Sequence, residues 1–94
     1  MMTKSGYVYF MTNHLNTVIY IGVTSNLSQR VEQHKRHIFA GFTARYHCEK
    51  LVYFEEYSDI ESAIKREKQL KNWRREWKEE LINKMNPEWK NLAK

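Results

Sequence analysis

Apolar and polar positions alternate in two runs near the start of the chain. Residues 7–12 (YVYFMT) and 17–23 (TVIYIGV) are rich in β-branched and aromatic side chains, with Gly6 before them and Asn13-His14-Leu15-Asn16 between them. Such runs bounded by turn formers predict a hairpin with a four-residue loop. With Thr12 facing Thr17, pairing would continue as Phe10 to Ile19, Tyr9 to Tyr20 and Val8 to Ile21. Side chains alternate across a strand. One face therefore carries Val8, Phe10, Ile19 and Ile21 and is core, while the other sets Tyr9 beside Tyr20.

The period then changes from two to 3.6. Asn26 is placed to N-cap a helix from Leu27 to about Phe39. Leu27, Val31 and Ile38 form its apolar stripe, and Arg30, His34 and His37 follow one edge of that stripe. A loop around Gly41 leads to a third strand, Leu51 to Tyr57. Ser58-x-x-Glu61 has the form of a capping box and opens a second helix. Its inward stripe reads Ile60, Ala63, Ile64, Glu67 and Leu70. The helical pattern runs on through Trp73, Trp77, Leu81 and Met85, with a break near Asn72, and Asn86-Pro87 ends it. The predicted class is α/β (α+β), with the order β-β-α-β-α-α. A three-stranded antiparallel β-sheet flanked by helices is the economical packing of these elements.

One residue disturbs the second stripe. Glu67 projects close to the centre of an otherwise apolar face. A bare buried carboxylate costs several kcal/mol, so it must be paired or bound. Lys71, one turn on, would satisfy it as a salt bridge. A hard divalent cation would also satisfy it, since Mg²⁺ needs one or two protein carboxylates and takes the rest of its shell from water and phosphate. Arg30 and His34, one turn apart, read either as a solvated helix edge or as groups for phosphoryl chemistry. In the second reading the guanidinium grips non-bridging oxygens and the imidazole moves a proton. Tyr9 and Tyr20 read as a cross-strand pair or as phenols that orient a water.

Composition narrows the choice. The chain has 94 residues, enough for one core, and 29% charged residues with a single Pro exclude collagen-like and low-complexity readings. No apolar run is long enough to span a bilayer, and residues 1–10 lack a secretory signal pattern. Cys48 is the single cysteine, so no intrachain disulfide forms, which fits a reducing cytoplasmic setting. Sixteen Lys and Arg against eleven Asp and Glu give a net charge of +5, which reads either as a surface for a polyanion or as one that merely keeps a small protein soluble. The basic stretch Lys65 to Lys78, interleaved with Trp73 and Trp77, reads as a solvated face over a core or as a surface for phosphates and stacked bases. His34, His37, His47 and Cys48 match no common structural zinc spacing. No P-loop, Rossmann glycine pattern, G-x-S-x-G or H-E-x-x-H occurs.

Taken together, Tyr7-Val8-Tyr9, Tyr20-Ile21-Gly22 with Arg30 ten residues beyond Tyr20, and Ala63-Ile64-Lys65-Arg66-Glu67 resemble the GIY-YIG nuclease superfamily. Within it the chain is similar to the small single-domain members of the UPF0213 type. The resemblance runs from Gly6 to about Leu81. It implies one nuclease domain over residues 1–94 and hydrolysis of DNA phosphodiesters. Glu67 would hold a single Mg²⁺ or Mn²⁺, and Arg30 would brace the scissile phosphate. Tyr9 and Tyr20 would position the attacking water, and His34 would assist proton transfer. Gly22 would let backbone and phosphate approach closely. Arg45, Lys71 and Arg74 are candidate nucleic-acid contacts. The first motif reads Tyr-Val-Tyr where the family has Gly-Ile-Tyr. The late asparagine that some relatives use has two candidates, Asn83 and Asn86. The DNA-binding domains that many relatives add are absent from this stretch, so the implied selectivity is for structure or strand rather than for a base sequence. A non-catalytic nucleic-acid-binding module of the same fold is the competing expectation. RNA as partner, and monomer or homodimer as state, stay open.

Overall fold

The computed structural model describes residues 5–36 and 41–93. Strands β1 (Gly6–Thr12), β2 (Ile19–Thr24) and β3 (Lys50–Tyr57) form one antiparallel sheet in the order β2-β1-β3. Helices α1 (Leu27–Lys35) and α2 (Phe42–Arg45) lie between β2 and β3 in sequence, and α3 (Ile60–Lys71) and α4 (Arg75–Met85) follow β3. The expected order and sheet are present. The short α2 stands where a loop around Gly41 was expected.

The most apolar strand takes the centre. Val8, Tyr9, Phe10, Met11 and Thr12 of β1 have no exposed surface. The sheet separates two cores. Val8, Phe10, Ile21, Val52 and Tyr53 pack with Ala63, Leu70 and Ile82 of α3 and α4. Tyr9, Met11 and Leu51, on the opposite face, pack with Val31 of α1 and with Cys48. Burial pushes the Cys48 thiol up to about 11, so it is an inert core group rather than a nucleophile or ligand.

The hairpin register is corrected by two residues. Thr12 pairs with Ile19, Met11 with Tyr20, Phe10 with Ile21 and Tyr9 with Gly22. The cause lies in the loop. The Asn13 side chain accepts from the backbone N–H of Thr17 and Val18, at 2.9 and 3.0 Å, and donates to the Thr17 hydroxyl at 2.7 Å. Asn16 adopts a left-handed φ of 60°. Those residues turn instead of pairing, and the loop spans 13–18. Because the slip is even, every side chain keeps its expected face.

Other boundaries move for local reasons. α1 stops at Lys35 with Arg36 as C-cap, so the expected continuation to Phe39 is not formed through Arg36, and His37, Ile38 and Phe39 lie outside the described residues. Asp59, not Ser58, caps α3, because its carboxylate accepts both the backbone N–H and the hydroxyl of Ser62. Ile64 of the expected stripe is 36% exposed. On α4 the inward positions are Leu81 and Ile82, while Trp77 and Met85 point out. Asn72 and Asn86 end α3 and α4, close to where the pattern broke.

Two devices fasten this frame. Glu55 of β3 accepts from Nε and Nη2 of Arg66 of α3, at 3.0 and 3.1 Å, and from the hydroxyls of Tyr53 and Tyr57. Burial alone would raise the Glu55 carboxyl, but these four bonds outweigh it and hold it below the ordinary range. A bulge between Phe10 and Met11 leaves Val52 as an extra residue, and Asn86 Nδ2 donates to its carbonyl at 3.1 Å. The chain after α4 then covers the β3 edge, with Leu92 N–H donating to the Leu51 carbonyl at 2.7 Å.

Gly6 sits where α3 crosses β1. A Cβ there would fall 2.7 Å from Ala63 Cβ and 2.9 Å from the Ile60 backbone. Gly6→Ala is expected to lower stability by about 1–3 kcal/mol, the usual cost of overpacking. Urea unfolding at constant m-value checks this.

Candidate active site at the β2 edge

The residues predicted from sequence divide into two groups. Tyr9, Tyr20, Arg30 and His34 come together on the α1 side of the sheet. Ring centroids lie 6.2 Å apart for Tyr9 and Tyr20, 5.6 Å for Tyr9 and His34, and 5.5 Å for Tyr20 and His34. Tyr9 Oη is hydrogen-bonded to His34 Nε2 at 2.9 Å, and Arg30 and Tyr20 bond to the same hydroxyl. His34 Nδ1 is hydrogen-bonded to Thr43 Oγ1 of α2 at 3.1 Å. Both imidazole nitrogens are therefore engaged, which leaves no basis for the zinc pattern.

Sequence explains each placement. The Asn26 side chain caps α1 by accepting from Gln29 N–H at 3.1 Å, which sets the helix phase. Arg30 and His34, four residues apart, then share a face over β1 and β2. Gly22 lies opposite Tyr9, and an added Cβ would meet the Tyr9 Cζ at 2.5 Å. The space that glycine opens is filled by the Tyr9 phenol rather than left for a ligand.

Electrostatics follow burial. Tyr9 is wholly buried, and burial pushes its phenol well above the ordinary range. Tyr20 adds to that rise and Arg30 opposes it. His34 is pushed below its ordinary 6.5, first by burial and then by the Arg30 charge, so it is neutral at neutral pH. Tyr20 and Arg30, only half-buried, form the accessible front of this cluster, with Tyr9 and His34 behind.

Glu67 comes from the other side of the sheet. Its side chain is 12% exposed and its Oε2 accepts from Lys71 Nζ at 2.8 Å. Lys71, 53% exposed, reaches a groove of about 280 Å³ lined with Ile19, Tyr20, Ile21 and Lys78. The groove runs along edge strand β2, so tyrosine cluster and acid pair approach the same strand from opposite faces. A larger cavity of about 550 Å³, between Thr12, His14, Lys35 and Lys50, holds none of these groups.

The remaining candidates are used differently. Arg45 lies over the Tyr46 ring at 5.6 Å and Arg74 over Trp77 at 5.8 Å, and neither borders the groove. Asn86 is spent on Val52 and on both backbone groups of Lys90, and Asn83 accepts from Trp89 Nε1. Thr43 carries no signal in the sequence, and Lys78 reads there only as one member of the basic stretch Lys65 to Lys78.

Comparison with known proteins decides the lineage. The model of the GIY-YIG catalytic domain matches residues 5–84. The chain belongs to the GIY-YIG family. Its fold is similar to the solution NMR structure of the UPF0213 protein BH0048 from Bacillus halodurans, with a TM-score of 0.58 and 24% identity over 93% of this chain and 92% of that one. A search of curated proteins gives no match. Tyr9, Tyr20, Arg30 and Glu67 all fall inside the GIY-YIG match. The family is one of nucleases. No described helix of this member is long and apolar enough to cross a membrane.

Two outcomes are expected. Gly22→Ala forces the Tyr9 ring from its place, costing about 1–3 kcal/mol and breaking the bond to His34, which a changed His34 imidazole NMR signal reports. Separately, the lowered His34 value means that the unfolded chain binds the imidazole proton more readily than the folded one. Stability contributed by neutral His34 is complete above about pH 6.5 and is lost as pH falls toward the folded value. Urea midpoints measured across that range should fall for the wild type, and His34→Gln should flatten the fall.

Proposed function

We propose that the protein is a divalent-metal-dependent DNA endonuclease, selective for structure or strand rather than for a base sequence. The observation that carries this reading is the β2 edge, where one basic groove is lined by Tyr20 of the Tyr9–His34–Arg30–Tyr20 cluster and by Lys71, the ion-pair partner of Glu67.

The donor set suits one hard cation. Among the described residues no group of three or more His, Cys, Asp or Glu side chains is placed to hold a metal. Glu67 would thus be the single protein ligand, with water and substrate phosphate completing the shell of Mg²⁺ or Mn²⁺. Lys71 Nζ lies 2.8 Å from Oε2, so a metal would have to take that position from the ammonium. The ion would supply positive charge at the phosphate during hydrolysis. Metal affinity without nucleic acid is therefore weak.

The chain's own groups have separable tasks. Arg30 braces the non-bridging oxygens, where charge develops. Tyr20, on the groove, orients the attacking water. His34, neutral and behind Tyr20, accepts or returns a proton through its bonded partners. Tyr9 touches no solvent, so it acts from behind, holding His34 and Arg30 in place and linking His34 to Tyr20 through its hydroxyl.

The Glu67–Lys71 ion pair favours the competing reading, a binding module in which the acid is structural. A cleavage panel of single-stranded, duplex and forked DNA, with and without Mg²⁺ or Mn²⁺, separates the two. The expected result is metal-dependent nicking that falls by about a hundredfold or more in Arg30→Ala and Glu67→Gln, with both variants folded by circular dichroism. Salt-sensitive binding with no cleavage in any metal would establish the module instead.

A further inference from the structure

Glu67 has a partner already, and that partner stands on the groove. Lys71 Nζ lies 2.8 Å from Glu67 Oε2, yet the lysine side chain is 53% exposed and the glutamate 12%. The pair is therefore lopsided: the acid is held in the interior and the base can swing into solvent. Beside it stands Lys78, contributed by α4, and both lysines line the groove with Tyr20. Burial and the nearby Arg75 charge push Lys78 below its ordinary value. Arg75 is held in place beside it, because its guanidinium donates to Glu79, the Thr17 carbonyl and the Asn16 carbonyl. Two cationic side chains thus face one groove, and its lining contains no carboxylate. That arrangement is matched by an anion.

We propose that Lys71 is a shared counter-ion, paired with Glu67 while the groove is empty and moved, together with Lys78, onto a polynucleotide phosphodiester when the groove is filled. This rests on the reading of Glu67 as the metal ligand. Release of Lys71 leaves the interior carboxylate in need of a cation, and a divalent ion then binds more tightly than it does to the free protein. Phosphate and metal reinforce each other through one lysine, and Lys78 forms a phosphate subsite distinct from Arg30. A salt bridge this short also keeps the carboxylate from being stranded when no substrate is present. The coupling is reciprocal, so metal also strengthens the lysine contact to phosphate.

The test uses binding alone. Mn²⁺ affinity of the purified protein is measured by calorimetry, at mildly alkaline pH and without nucleic acid, for the wild type, Lys71→Met and Glu67→Gln. Lys71→Met should bind Mn²⁺ about two- to fivefold more tightly, since the competing ion pair is gone, and Glu67→Gln should abolish binding. Equal or weaker binding by Lys71→Met, with Glu67→Gln still abolishing it, overturns the shared counter-ion and leaves the metal reading intact. Unchanged binding in Glu67→Gln overturns both. In a second arm, a short single-stranded deoxyoligonucleotide is titrated in EDTA at several salt concentrations. Lys71→Met and Lys78→Met should each reduce the slope of log affinity against log salt by about 0.7, the value for one lost contact on a single strand. An unchanged slope in both variants overturns the phosphate subsite.

Discussion

The missing side chain opposite Tyr9 is the constraint on which the site depends. A cross-strand partner of any size at Gly22 would hold the Tyr9 ring upright, because a Cβ there would overlap the phenol. Glycine lets the ring lie across β2 and deliver its hydroxyl into the interior. There it meets His34, Arg30 and Tyr20. A buried hydroxyl, imidazole and guanidinium would each be a liability alone, and together they satisfy one another. Among the described residues no buried side-chain nitrogen or oxygen lacks a hydrogen-bond partner.

That network also assigns the proton-carrying groups their states. Burial raises the phenol and lowers the imidazole, so both are neutral at the same pH. Arg30 is the positive group among them, and its side chain is half-exposed. Charge is thus concentrated at the front of the cluster, where a phosphate would arrive. Thr43, delivered by the short α2, holds the far nitrogen of His34 and so sets the imidazole orientation.

The second half of the site depends on how the sheet ends. The β3 edge is covered by the chain after α4, through the Leu92 and Asn91 contacts to Leu51. The β2 edge carries the groove instead. An uncovered strand edge invites unwanted pairing, and lysine is the usual guard. Lys71 and Lys78 fill that protective role and supply the positive charge that a polyanion would meet. Arg66, by contrast, belongs to the frame. It is bonded to Glu55 and stacked on Trp73 at 5.1 Å, which keeps α3 seated and Glu67 aimed at its place.

Local periodicity was enough to read the three strands, the long helices, the two tyrosines on one face and the acid within an apolar stripe. Each of those follows from residues a few positions apart, and an even slip in register cannot move a side chain to the other face. The hairpin register itself was beyond such reading, because Asn13 set it by bonding Thr17 and Val18 in place of the ladder. So were the depth of Tyr9, the service of Thr43 and the approach of Glu67 from the opposite side of the sheet. These depend on contacts between elements distant along the chain, whose energies appear only once the layers close. Periodicity can show that Glu67 points inward and can offer Lys71, one turn on, as its partner; packing alone brings that lysine to the groove beside Tyr20.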